Sequence, residues 1–198
     1  MHEAAPSSSP LILALGDSLT AGYGLPPDRG FARQLQRALQ TRMPGAAVID
    51  AGRSGDTTAG GLARLPGVLA RCARSPDLCL VELGANDAIR AIDPARTSDN
   101  LDAVLSMLEQ QRIPALLCGM IAPPFLGIYA TRFNAIFPAV AERHQASFYP
   151  FFLDGVVGDP TLTLPDGLHP NARAIEIVAE RVVPHVEKAL YRGRERAA

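Results

Sequence analysis

Five short apolar runs alternate along the chain with longer amphipathic segments. Leu11–Leu15, Ala47–Ala51, Leu78–Leu83, Ala115–Met120 and Ser147–Phe151 are nearly continuous in apolar residues, as expected of strands covered on both faces. Between them the apolar positions change to helical spacing: Phe31, Leu35 and Leu39; Leu62, Leu65 and Leu69; Leu101, Leu105 and Leu108. Two further stripes are Phe133, Ile136, Phe137 and Val140, and then Ile175, Val178, Val182 and Val186. Thr97 or Ser98 is the expected cap of the third helix. Pro66 predicts a fresh helix start, and Pro138 and Pro184 predict kinks or breaks. The order β-α-β-α-β-α-β-α-β-α implies parallel strands joined by right-handed helical crossovers. The predicted fold is therefore α/β, a three-layer α/β/α sandwich with a flavodoxin-like parallel sheet of about five strands. Residues 11–192 read as one domain, "MHEAAPSSSP" (1–10) as a disordered lead-in without a signal-peptide apolar region, and 193–198 as a tail.

Composition narrows the partners. The 198 residues are 47% hydrophobic and 20% charged with a formal net charge of -1, so no overall field draws the chain to nucleic acid or anionic lipid. Its 19 basic residues are arginines apart from Lys188, and they are scattered. No apolar run approaches the roughly 20 residues of a transmembrane helix, and stable membrane insertion is not expected. Cys72, Cys79 and Cys118 lack metal-ligand spacing. Buried free thiols are the preferred reading over a Cys72–Cys79 bridge.

In a parallel sheet, ligands sit outside the carboxyl ends of the strands. The five strand ends lead into Gly16-Asp17-Ser18, Gly52-Arg53-Ser54-Gly55-Asp56, Gly84-Ala85-Asn86-Asp87, Gly119 to Pro124, and Asp166-Gly167-Leu168-His169-Pro170-Asn171. Taken singly, Ser18 is an ordinary turn serine, Gly55 a turn glycine, Asn86 an Asx-turn residue and His169 a surface histidine in a capping turn. Together at one sheet edge they supply the parts of serine hydrolysis: a nucleophile, a base, a group that orients the base, and oxyanion donors. Of the four histidines, only His169 lies in a strand-end loop with a carboxylate, Asp166, three residues before it. Ser18 and Gly55 would offer backbone N–H groups to the oxyanion and Asn86 its side-chain amide. Asp17 is assigned a supporting role, fixing its loop through nearby backbone. No metal or cofactor is called for. A G-x-S-x-G elbow is absent around Ser18, against an α/β-hydrolase, and neither G-x-G-x-x-G nor a P-loop is present.

"GDSLTAGYG", "SGDTTAGGLARL", "VELGANDAIR" and "DGLHPN" resemble, in this order, the four blocks of the SGNH (GDSL) hydrolase superfamily. The chain is most similar there to the bacterial multifunctional thioesterase/lysophospholipase group and its arylesterase relatives. The resemblance implies Ser18, Asp166 and His169 as catalytic triad, Ser18, Gly55 and Asn86 as oxyanion donors, and a periplasmic or secreted location.

The implied substrate is a small-molecule ester or thioester with a short-to-medium acyl or aryl group, lysophospholipids included. The apolar loop "MIAPPFLGIY" (120–129) is expected either to pack as a lid or to wall an acyl site through Pro124, Phe125, Leu126 and Ile128, with Ile89 in the same groove. Carbohydrate acetylester hydrolysis is the alternative, disfavoured by the lack of tryptophan for sugar stacking. A non-catalytic crevice-binding protein is more distant, since all five chemical positions are filled. For "AGYG" (21–24), a flexible entry to the next helix is expected.

Overall fold

The computed structural model describes residues 9–197; residues 1–8 of the expected lead-in lie outside the described residues. Strands β1 (Leu11–Gly16), β2 (Ala47–Gly52), β3 (Leu78–Glu82), β4 (Ala115–Cys118) and β5 (Ser147–Tyr149) form one parallel sheet in the order β2-β1-β3-β4-β5. Leu13 pairs with Ile49 on one side and Cys79 on the other, which sets the register at the centre. Every residue of β3 is buried, whereas β2, at an edge, is only partly covered. That difference follows from parallel topology, where crossover helices cover the faces of inner strands.

The helices are α1 (Ser18–Ala21), α2 (Phe31–Gln40), α3 (Thr58–Leu69), α4 (Ala85–Ile89), α5 (Pro94–Gln110), α6 (Ile128–Asn134), α7 (Ile136–Arg143) and α8 (Ala172–Ala197). α2 packs with α8, and α3 packs with α5, which in turn contacts α7. The predicted stripes are the buried faces: Phe31, Leu35 and Leu39 in α2, and Leu101, Leu105 and Leu108 in α5. Each such side chain contributes about 1.5–3 kcal/mol on full burial. Among the described residues no helix is long and apolar enough to cross a membrane.

Several boundaries differ from the sequence reading. Pro66 lies inside α3 and does not begin a new helix. The helix starts eight residues earlier, where Thr57 caps it by accepting from Gly60 N–H, and burial of Leu65 and Val68 carries it through the proline. α5 also starts earlier than Thr97 or Ser98. Asp93 caps it by accepting from Ala95 N–H (3.0 Å), and Pro94 occupies the first turn, where a missing N–H costs no hydrogen bond. The segment around Pro138 does divide, into α6 and α7 at Ala135. Pro184 causes no break: α8 continues past it to Ala197, through most of the expected tail. At the other end Pro10 is buried, and its carbonyl accepts from Ala47 N–H (2.9 Å), so the last residue of the expected lead-in is packed against the sheet. The three cysteines are free; Cys79 and Cys118 are buried, while Cys72 is partly exposed.

The strand order reverses direction between β1 and β3. Crevices in open α/β sheets form at such a switch point, and the turns that carry Ser18 and Asn86 leave the sheet at that place.

Candidate active site

Ser18 is the first residue of the four-residue α1, directly after β1. Asp17 caps this turn: its Oδ1 accepts from Leu19 N–H (3.0 Å). Its Oδ2 accepts from Asn86 Nδ2 (3.0 Å), tying the end of β1 to the end of β3. Asp17 is fully buried, and burial pushes its pKa up to about 6 against the lowering effect of those two donors. Beneath the turn lies a second buried carboxyl, Glu82, at the end of β3. Its Oε2 accepts from Asp17 N–H (3.2 Å), Thr20 N–H (3.2 Å) and Thr20 Oγ1 (2.7 Å). Burial, followed by the Asp17 charge, holds the Glu82 pKa well above the usual carboxylate range.

His169 stands on the loop before α8. Its Nε2 is 3.1 Å from Ser18 Oγ, and its Nδ1 is 2.7 Å from Asp166 Oδ2. With Asp166 ionised, Nδ1 carries the proton, and Nε2 is left to accept from the Ser18 hydroxyl. Asp166 Oδ1 also accepts from Leu168 N–H (2.9 Å) and His169 N–H (3.0 Å). The hydrogen bond from His169 N–H is the main cause of a pKa drawn down to about 2, with Leu168 N–H and the His169 ring adding to it. The loop is braced by Leu164 N–H to His169 carbonyl (2.7 Å) and Asn171 N–H to Leu162 carbonyl (2.9 Å). Asn171 caps α8 through its Oδ1, which accepts from Arg173 and Ala174 N–H. Pro170 therefore precedes the cap, paired across a bridge with Thr163, and is not in the first helical turn.

Gly55 occupies the β2–α3 turn with φ +81°, a left-handed conformation that glycine adopts without strain. Two arginines fasten this turn. Arg90 donates to the Gly55 carbonyl (2.8 Å), while Arg64 pairs with Asp56 (2.5 Å) and donates to the Gly16 carbonyl (2.8 Å). Asn86 is the second residue of α4, and Gly84 before it has φ +123°. The next residue, Asp87, is fully buried and accepts from Thr58 N–H, Thr58 Oγ1 and Thr97 Oγ1. It locks α3, α4 and α5 together behind the site.

Ser18, Gly55, Asn86 and His169 line one crevice of about 330 Å³, with Asp166 behind His169. Its apolar walls are Leu19, Tyr23, Ala85, Ile89, Leu153 and Leu168. The N–H groups of Ser18 and Gly55 have no hydrogen-bond partner among the described residues, and Asn86 Nδ2 has a second hydrogen beyond the one given to Asp17. Among the described residues no group of three or more His, Cys, Asp or Glu side chains is placed to hold a metal ion.

Of the expected acyl-site residues, Ile89 lines this crevice. Pro124, Phe125 and Leu126 form a 3-10 turn and Ile128 begins α6; none of the four lines it. Phe125 and Ile128 are 84% and 76% exposed, so the expected wall is not built from them. The Tyr129 hydroxyl tethers α6 to the carbonyls of Asp87 (3.3 Å) and Ile92 (3.0 Å), behind the Asn86 turn. Tyr23 corrects the reading of "AGYG": its ring packs on His169, centroids 4.3 Å apart, so it is part of the site wall. Glu82, Leu153 and Leu168 were also not identified from sequence. Only Glu82 carries a signal there, as a lone carboxylate in an apolar strand.

The profile of the GDSL-like lipase/acylhydrolase family matches residues 14–176. An arylesterase of Vibrio mimicus is 38% identical over 188 residues, covering 92% of this chain and 93% of that protein. "Thioesterase 1/protease 1/lysophospholipase L1" of Escherichia coli K12 is 35% identical over 170 residues, 85% of this chain and 79% of that one. Among solved structures, AlinE4, a SGNH-hydrolase family esterase, superposes with a TM-score of 0.79 at 43% identity, covering 94% of this chain and 99% of its own.

Proposed function

The chain belongs to the GDSL-like lipase/acylhydrolase family and hydrolyses ester bonds, and from that premise we propose that Ser18 is its nucleophile, His169 the general base and Asp166 the group that orients it. The supporting observation is the unbroken chain Ser18 Oγ–His169 Nε2 (3.1 Å) and His169 Nδ1–Asp166 (2.7 Å), beside two backbone N–H groups with no partner among the described residues.

Ser18 Oγ attacks the ester carbonyl carbon as its proton passes to His169 Nε2. The carbonyl oxygen becomes an oxyanion and accepts from Ser18 N–H, Gly55 N–H and Asn86 Nδ2. Fixed donors of this kind need no reorganisation as charge develops. His169 then protonates the leaving oxygen or sulfur and the carbon–heteroatom bond breaks, giving an acyl-serine. Water, deprotonated by His169, attacks the acyl carbon, and collapse returns the proton to Ser18. Asp166, ionised down to about pH 2, stabilises the imidazolium at both stages.

The substrates are aryl and short-to-medium acyl esters, with thioesters and lysophospholipids as further candidates. The acyl or aryl group would lie against Ile89, Leu153, Leu168 and Tyr23, an apolar wall in a crevice of drug-sized volume. A periplasmic or secreted location accompanies this reading on the family resemblance, and cell fractionation tests it. The central test is hydrolysis of p-nitrophenyl esters from acetate to laurate by wild type and Ser18→Ala, with phosphonate labelling at Ser18. Wild type should favour the shorter esters, and S18A should lose both turnover and label. Undiminished hydrolysis by S18A refutes the assignment.

A further inference from the structure

Glu82 has no part in the proton transfers, yet it holds more of the nucleophile turn than any other side chain. It comes from β3, is 0% exposed, and directs one oxygen at three donors of the turn: Asp17 N–H, Thr20 N–H and Thr20 Oγ1. Gly16 makes this approach possible, because a Cβ at that position would collide with Thr20 Oγ1 and Glu82 Oε2. Asp17 Oδ1 takes the Leu19 N–H. The two buried carboxyls therefore consume the N–H groups of residues 17, 19 and 20 and leave that of Ser18 without a partner among the described residues. This selective occupation is what a one-turn oxyanion donor requires: its neighbours cannot compete for the charge, and its own direction is fixed from below.

We propose that Glu82 is a positioning residue for the nucleophile, setting the Ser18 hydroxyl and N–H against His169 and the oxyanion through its hold on Asp17 and Thr20. The inference rests on Ser18 being the nucleophile. Glu82 performs this role as a neutral acid. Its Oε2 is saturated as an acceptor, whereas its Oε1 is buried with no partner among the described residues, where a bare charged oxygen is expensive to place. Asp17 in the same turn and Cys118 on β4 are the titratable groups facing it, and no cation bonds to its carboxyl among the described residues. Burial and the Asp17 charge both act in the same direction. A second full negative charge below the turn would also oppose the oxyanion; a neutral carboxyl keeps the hydrogen bonds without that repulsion.

The test compares Glu82→Gln, Glu82→Leu and Thr20→Val with wild type on p-nitrophenyl acetate, reading kcat and KM separately, the rate of phosphonate labelling at Ser18, and thermal stability. Glutamine matches a protonated glutamic acid in shape and retains the acceptor. E82Q should stay within about tenfold of wild-type kcat with the same pH profile, and E82L should lose on the order of 100-fold in kcat with KM little changed, the scale of a misplacement near 1 Å. T20V, which deletes one of the three donors and retains shape, should lose roughly five- to tenfold in kcat and in labelling rate at unchanged KM. Infrared spectra should show a protonated-carboxyl band that E82Q removes. Wild-type kcat in folded E82L, or an unaltered T20V, overturns the positioning role; E82Q as impaired as E82L overturns the neutral form. Should E82L not fold, T20V and E82Q carry the test alone. Failure of the nucleophile assignment is separately visible, as S18A would then remain active.

Discussion

Replacing Asp17 by asparagine should remove a pH dependence of stability and disable the protein at the same time. In the fold the Asp17 pKa rises from its ordinary 3.8 to about 6, with burial as the main cause. Between those two values the native state binds more protons than the unfolded chain, so stability falls as pH rises through the interval. At about 1.4 kcal/mol per pH unit, the interval amounts to roughly 3 kcal/mol, present below pH 3.8 and lost by the time Asp17 is ionised above about pH 6. An amide in its place does not titrate, so D17N should gain about 3 kcal/mol on wild type between roughly pH 4 and pH 7. The starting offset differs, because the substituted side chain still accepts from Leu19 N–H through its oxygen but turns N–H groups toward Asn86 Nδ2. Asn86 meets that clash by presenting its own oxygen, which rotates its donor away from the crevice, and kcat should fall on the order of 100-fold. Urea unfolding at several pH values gives the stability difference, and steady-state kinetics on a p-nitrophenyl ester gives kcat. A wild-type-minus-D17N difference that stays flat from pH 4 to 7, or a D17N enzyme with normal kcat, refutes this reasoning.

Three further outcomes follow from the same geometry. Asn86→Ala should reduce kcat by about 100- to 1,000-fold with KM little changed, since it removes the proposed oxyanion donor together with its hydrogen bond to Asp17 Oδ2; steady-state kinetics at saturating ester checks it. Asp166→Asn should lower kcat by about 10⁴-fold by imposing the wrong His169 tautomer. Because Asp166 titrates near pH 2, it contributes nothing to the acid limb of wild-type activity above about pH 4, which a pH–rate profile reads directly. Gly55→Ala has room for its methyl, the nearest atom being Arg90 Nη2 at 3.7 Å, yet φ +81° makes it strained. It should lose about 1–2 kcal/mol in urea unfolding, together with activity, as the turn shifts its N–H.

The parts of the molecule that could be read from the chain are those fixed by local pattern. The five strands were legible because an inner parallel strand must be apolar on both faces, and three of the site turns because glycine and small polar residues follow β1, β2 and β3. Ser18, Gly55, Asn86, Asp166 and His169 were named as candidates through convergence at the carboxyl edge, and the fold brings them together. What escaped depends on packing between distant segments. Glu82 resembles a strand residue until β1 is laid beside β3 and its carboxyl meets the α1 turn. Tyr23 gives no sign that its ring packs on a histidine 146 residues away in sequence. The exposed Phe125 and Ile128 had the composition of a wall, but composition does not say which way a turn faces; the tether from Tyr129 to Asp87 and Ile92 does. At Pro66 the local rule against interior proline was outweighed by burial of the helix that carries it.

Ser18 and the ring that faces it are 151 residues apart in the chain. A ribosome adding about 5–20 residues per second takes roughly 8–30 s to cover that span. With Ser18 and His169 in the roles proposed above, the nascent chain carries the serine without its base for all of that time. On the proposed triad, hydrolytic competence arrives with the last loop, when the segment ahead of α8 closes over a turn made at the start of synthesis. On that assignment the chain cannot hydrolyse an acyl ester until nearly the whole domain exists, and the first turnover marks completion of the fold.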